Sequence, residues 1–214
     1  MRILGIEIER RTDILAFTAF TISIGNLILQ GFNLIKGPKL VLDPPKQILI
    51  SKETYGNEKY IIISARMSYF NRGSPNHHDV IKLEEAYINF PVQKKTIKLN
   101  AQKYIHSERE NDKLEIENIS DAMPFQVESG NVKSHETLFV PRTSNTSNKL
   151  NVNENFLKYS ELLNLLKQNK EINIRLISRN LRNKEKEVTC NLITKNYLEN
   201  LKRKKWAAPS CTNN

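Results

Sequence analysis

The chain holds 214 residues, 39% hydrophobic and 26% charged, with a net charge of +10, seven glycines and two cysteines. So few glycines leave no Walker loop, no GxSxG elbow and no dinucleotide fingerprint, and no HExxH pair is present, which excludes the enzyme classes that rest on those motifs. Lysine outnumbers arginine 22 to 11 and there are 25 asparagines, a bias that AT-rich coding produces without any anionic ligand.

The chain opens with a short charged segment, residues 1–13, and then carries no ionisable side chain from Ile14 to Ile35. At about 1.5 Å of rise per residue, a helix over this stretch is long enough for roughly 30 Å of hydrocarbon, so a transmembrane helix is expected. Arg10, Arg11, Asp13 and Lys36 border it sharply. Thr18, Thr21 and Ser23 can bond back to helix carbonyls, so their hydroxyls are tolerable in lipid. Gly25, Asn26, Gln30 and Asn33 fall on one helical face and form a candidate helix–helix contact, because amides facing lipid need partners. Glu7, Glu9 and Asp13 before the apolar run, and no small-x-small site after it, argue for an uncleaved anchor rather than a signal peptide. The large domain is expected on the extracytoplasmic side, although cations flank the span at both ends.

Gly37-Pro38 and Asp43-Pro44-Pro45 stop the helix and stiffen the exit. Residues 36–206 then read as one domain, mainly β. Strands are expected at Gln47–Ser51, Tyr60–Phe70, Val80–Phe90 and Lys94–Ala101, with weaker ones at Lys113–Ile119 and Thr137–Val140. In Lys94–Ala101 the residues Ile97, Leu99 and Ala101 alternate with Lys98 and Asn100, as in a half-buried strand. Ile172, Ile174 and Leu176 alternate likewise, as do Val188, Cys190 and Leu192, which predicts a hairpin turning over Asn180 to Lys184. Phe156, Tyr159, Leu162, Leu163 and Leu166 recur at helical spacing and predict one amphipathic helix within 155–168. A second short helix is expected from Lys195 to Trp206, and residues 207–214 read as a flexible tail. Seven or eight short strands with one or two helices suggest an immunoglobulin-like β-sandwich.

Two further groups of side chains are candidate contacts. The turn of Asn71, Arg72, Asn76, His77, His78 and Asp79 is dense in polar residues between two strands and is the candidate partner contact. Lys202, Arg203, Lys204 and Lys205 beside Trp206 are the densest basic cluster, in a carboxyl-terminal region, residues 155–214, whose net charge is +8; they suit an anionic surface, with indole favouring lipid headgroups. Cys190 faces inward on its strand as a small core residue, and a bridge to Cys211 is open in an oxidising compartment. Asn118-Ile119-Ser120 and Asn145-Thr146-Ser147 match the glycosylation pattern, which chance supplies readily in so asparagine-rich a chain.

These features point to a single-pass membrane protein whose β-sandwich binds a protein partner or another copy of itself, as a sensor or scaffold. It is expected to be non-enzymatic, with no catalytic residue, no cofactor, no metal and no small-molecule substrate, and nucleic acid is disfavoured as a partner. Two alternatives belong to other classes. One is a soluble basic nucleic-acid-binding protein in which 14–35 is a core helix; the other is a metal-dependent hydrolase built on His77, His78 and Asp79.

Overall fold

In the computed structural model, residues 2–3, 6–7, 12–55, 58–74, 77–110, 113–141 and 158–212 are described. Strands β1 (Arg2–Ile3) and β2 (Ile6–Glu7) pair with each other ahead of helix α1 (Thr12–Lys36). There follow β3 (Leu40–Asp43), β4 (Ile48–Tyr55), β5 (Glu58–Asn71), β6 (His78–Phe90), β7 (Lys95–Glu110), β8 (Lys113–Asp121), β9 (Phe125–Glu128) and β10 (Val132–Pro141). Helix α2 (Tyr159–Gln168), β11 (Glu171–Asn180), β12 (Glu185–Ile193), a 3₁₀ turn at Thr194–Asn196, α3 (Leu198–Lys204) and β13 (Trp206–Ala207) complete the chain. The 14–35 stretch is helical as expected, and every expected strand is found.

The long strands form one antiparallel sheet in the order β12-β11-β6-β7-β10-β5-β4-β13. The β6–β7 hairpin is paired from Glu85 and Asn100 to its turn and then splits. Beyond the split β6 takes β9 as partner, while β7 takes β8. On its opposite edge β5 pairs first with β4 and then with β3. Because its strands change partners along their lengths, the sheet curls. Ile48 and Ile63 from one end of the strand order thus share a core with Ile174 and Leu192 from the other. A smaller cluster of Ile62, Ile105 and Leu138, backed by Ile116 of β8, lies on the other face. Helix α2 turns Leu162, Leu165 and Leu166 into the main core. It begins at Tyr159 rather than at residue 155; Phe156 lies outside the described residues.

The expected flexible tail is a correction. Trp206 and Ala207 pair with Ser51 and Ile50 of β4, Ser210 bridges Gln47, and Thr212 bridges Asn191 of β12. Between these bridges Cys211 is bonded to Cys190, with the two Cα atoms 4.9 Å apart. The segment 206–212 therefore touches both ends of the strand order and closes the sheet. Its backbone polar groups find partners there: Ile48 N donates to Pro209 O at 3.1 Å and Cys211 N to Lys46 O at 3.0 Å. Sequence polarity alone misses this, because a strand that closes a seam through backbone bonds needs few apolar side chains.

Helix α1 does not join this core. Leu15, Phe20, Ile22, Leu27 and Leu29 are each more than 60% exposed. Thr18 and Thr21 hydroxyls donate to Leu15 O and Phe17 O, so they are satisfied within the helix. Side-chain surroundings are described for residues 15–31, roughly 26 Å of helix, and no helix among the described residues is long and apolar enough to cross a membrane.

The bridge between Cys190 and Cys211 closes a loop with a sequence separation of 21, for which chain entropy gives about 3 kcal/mol. Replacing both cysteines by serine is expected to lower the thermal midpoint by roughly 6–12 °C, measured by circular dichroism, with no further loss when reductant is added to the variant.

Candidate functional site

The turn between β5 and β6 does not present all its candidate residues to a partner. Asn71 is fully buried. Its Nδ2 donates to His77 O and Val127 O at 3.0 and 3.1 Å, and its Oδ1 accepts from Lys39 N and Gly73 N at 3.1 and 2.9 Å. It is the knot that holds the exit of α1, the β5–β6 turn and β9 together. Asp79, 8% exposed, accepts from Asn180 Nδ2 and from Val80 N. These two residues are therefore corrected from contact to scaffold: an amide and a carboxylate here satisfy backbone and side-chain donors that the fold buries. Arg72 is exposed with its guanidinium 5.4 Å from the Phe70 ring centre. His78 is exposed, while His77 is half-buried with Nδ1 lacking a hydrogen-bond partner. Asn76 lies outside the described residues.

His77, His78 and Asp79 do not converge, since neighbouring side chains on an extended strand diverge. Among the described residues no group of three His, Cys, Asp or Glu side chains is placed to hold a metal. On α1, a Cβ added at Gly25 would meet nothing within 4 Å. Asn26 and Gln30 are exposed; the surroundings of the Asn33 side chain lie outside the described residues.

The basic cluster starts in α3 and ends in β13. Lys202 is paired with Glu199 at 2.5 Å, Lys204 lies over the Trp206 ring, and Lys205 caps the helix in the left-handed conformation at φ 69°. Folding adds cations that are distant in sequence. Lys52 of β4 has its pKa lowered by burial and by the neighbouring charges of Lys59 and Lys205. Lys52 also lies 5.8 Å from the Tyr159 ring centre.

Two features escape a reading of the sequence. The first is a buried polar node at Glu84, 2% exposed on β6. Its carboxylate accepts from the Tyr69 hydroxyl, faces His135 Nε2 at 3.1 and 3.3 Å, and accepts from Thr137 Oγ1 at 3.3 Å. Tyr69 also lies 2.7 Å from Ser178 Oγ, so the node ties β5, β6, β10 and β11. Burial first, then the Glu84 charge, pushes the Tyr69 and Tyr104 hydroxyls well above the usual tyrosine range, which keeps both protonated and able to donate. The rings of His135, Tyr104 and Phe125 meet edge-to-face or tilted, with centroids 4.2 to 6.2 Å apart. The adjoining cavity is only about 40 Å³, room for about one water rather than a substrate. The second feature is a polar groove of about 680 Å³ beside β5, where Arg66 and Arg109 flank Glu136. There the Glu136 carboxylate accepts from Ser64 and Ser107 at 2.7 and 2.8 Å.

No family model matches this sequence, and no curated protein matches it. Among solved structures, the sporulation control protein Spo0M of Bacillus subtilis aligns over 76% of this chain and 54% of its own, at 10% identity and a TM-score of 0.29. The aligned chain thus spans about half the length of that protein.

Two substitutions test the scaffold. Glu84→Ala strips the acceptor from three buried or half-buried partners and is expected to cost about 3 kcal/mol or more. Glu187→Ala, which breaks a half-exposed pair with Arg175, is expected to cost under about 1 kcal/mol; urea denaturation compares the two. At Gly73 a Cβ would fall 2.7 Å from Pro38 Cα and 2.9 Å from Gly37 O. Gly73→Ala is therefore expected to displace the 37–39 linker, read as faster hydrogen exchange at the Arg72 amide that Lys39 O accepts.

Proposed function

We propose that the protein is a non-enzymatic binding module, held at a lipid bilayer by α1 as a single-pass anchor and displaying its β domain to a protein partner. The observation that carries this reading is the apolar surface of α1, where Leu15, Phe17, Phe20, Ile22, Ile24, Leu27, Ile28 and Leu29 stand exposed instead of packing on the domain. Over its 25 residues α1 is roughly 37 Å long. Large apolar patches left open on a folded chain mark contact with lipid or protein. The Cys190–Cys211 bridge supports an extracytoplasmic domain, since such bonds persist in oxidising compartments. The domain itself we infer to be a β-sandwich of immunoglobulin-like kind, because strands from both ends of the sheet order face one core. A rigid sandwich presents loops and edges to partners without any catalytic constellation. The exposed Arg72 and His78 of the β5–β6 turn, and the Gly25, Asn26 and Gln30 face of α1, are the contacts this reading offers.

Extraction decides it. The full chain is expected to stay with membranes through an alkaline wash. Ile22→Lys with Leu29→Lys, each costing about 2.5–3.5 kcal/mol at mid-span, is expected to release it. Wild-type protein found in the wash supernatant would remove the anchor.

A further inference from the structure

The end of the β domain at which α1 arrives carries four cations that line one groove and, at the tip of the β11–β12 turn, one exposed leucine. Gly37-Pro38-Lys39 leads from α1 into β3, where Leu40 pairs with Asn71. The β11–β12 turn lies against that linker: Arg182 Nη1 would be 3.9 Å from a Cβ built on Gly37. Asn180 shapes the turn, its Oδ1 accepting from the backbone N–H of Arg182 and Lys184 at 3.0 and 2.8 Å, while Asn183 takes φ 59°. Lys39, Arg182, Lys184 and Lys186 thereby line a groove of about 220 Å³, and Leu181 at the tip is 62% exposed.

The charges in this groove are unbalanced. Arg175 and Arg179, further along the same hairpin, are paired with Glu187, Glu185 and Glu85. None of the four groove cations has a carboxylate within ion-pair distance among the described residues. The one acidic lining residue, Asp79, already accepts from Asn180 and Val80. Lys82 extends the basic rim, donating to Asn183 Oδ1.

By contrast, the Lys202–Lys205 cluster sits far from α1. Trp206 pairs with Ser51, which pairs with Ile62 of β5, whereas the exit of α1 lies at Asn71 of the same strand. Nine residues of strand separate the two levels, roughly 30 Å at about 3.3 Å per residue.

We propose that the β11–β12 tip and the linker form a docking site for the phosphates of anionic phospholipid, with Lys39, Arg182, Lys184 and Lys186 as the cationic contacts and Leu181 entering between headgroups. The site rests on the reading of α1 as an anchor, which puts this end of the domain against the bilayer. Cations within a Debye length of an anionic surface strengthen attachment by roughly five-fold each, so the tip would fix how the domain stands on the membrane.

The test uses the full chain in vesicles of phosphatidylcholine, alone or with phosphatidylglycerol, with a Leu181→Trp reporter in a Trp206→Phe background and a quencher on the lipid headgroup. Quenching is expected to be about three-fold greater or more with phosphatidylglycerol. It is expected to be lost in Arg182→Glu/Lys184→Glu or when salt shortens the Debye length to about 3 Å, and to be unchanged in Lys202→Glu/Lys205→Glu. Protein that survives the alkaline wash yet shows equal quenching in both lipids, or quenching indifferent to the Arg182/Lys184 reversal, overturns the docking site and leaves the anchor standing. Protein washed from both kinds of vesicle overturns the anchor and the docking site together.

Discussion

The structure depends on the closure of its sheet by residues 206–212. A curled antiparallel sheet with free ends leaves rows of unpaired backbone groups and lets water reach the core between its first and last strands. Here the carboxyl-terminal segment pairs with β4 on one side and meets β12 on the other, and the Cys190–Cys211 bond fastens the seam. Ala207 and Pro209 are buried beneath it. Hydrogen bonds at a seam are each worth about 1 kcal/mol net and open readily. A covalent bond at the same place also narrows the unfolded ensemble, so the seam is held from both states of the folding equilibrium.

Inside that closed sheet the cohesion is mostly apolar, and Glu84 is the exception. A carboxylate removed from water is tolerable only if its oxygens are fully served, and here three side chains from two strands, Tyr69 of β5 and His135 and Thr137 of β10, serve it. The arrangement adds directional cohesion that leucines and isoleucines cannot: a one-residue slip of β5 or of β10 would take away part of the hydrogen bonding to the buried charge. Asn71 and Asn180 play the same part at the end of the domain near α1. Their amides satisfy the backbone of the linker and of the β11–β12 turn, and so fix the cations of that turn beside the point where α1 enters.

The polarity of the whole molecule follows. The large apolar side chains described on α1 stand exposed, four cations line a groove beside the linker that leaves the helix, and a second basic cluster with Trp206 stands at the far end of β5. A bilayer engaging α1 would meet the first group and leave the second free. Lys202–Lys205 is the densest basic cluster along the chain, whereas the cations beside α1 come from the linker and the β11–β12 hairpin, because charge density along the chain says nothing about distance from α1.

Residue order by itself determined the helix at 14–35, the strands whose side chains alternate, such as Ile97 and Leu99 against Lys98, and the amphipathic helix over Leu162 and Leu166. In each, apolar residues recur at the period of the element that buries them, so the local pattern is the fold's own signature. Only tertiary structure decided the rest. β3, β9 and β13 are short and are made strands by their neighbours; Glu84 finds His135 and Tyr69, 51 and 15 residues away; Lys39 comes to line one groove with Arg182, Lys184 and Lys186. These are pairings across a closed sheet, and backbone hydrogen bonds and distant charges leave no periodicity in the sequence from which to read them.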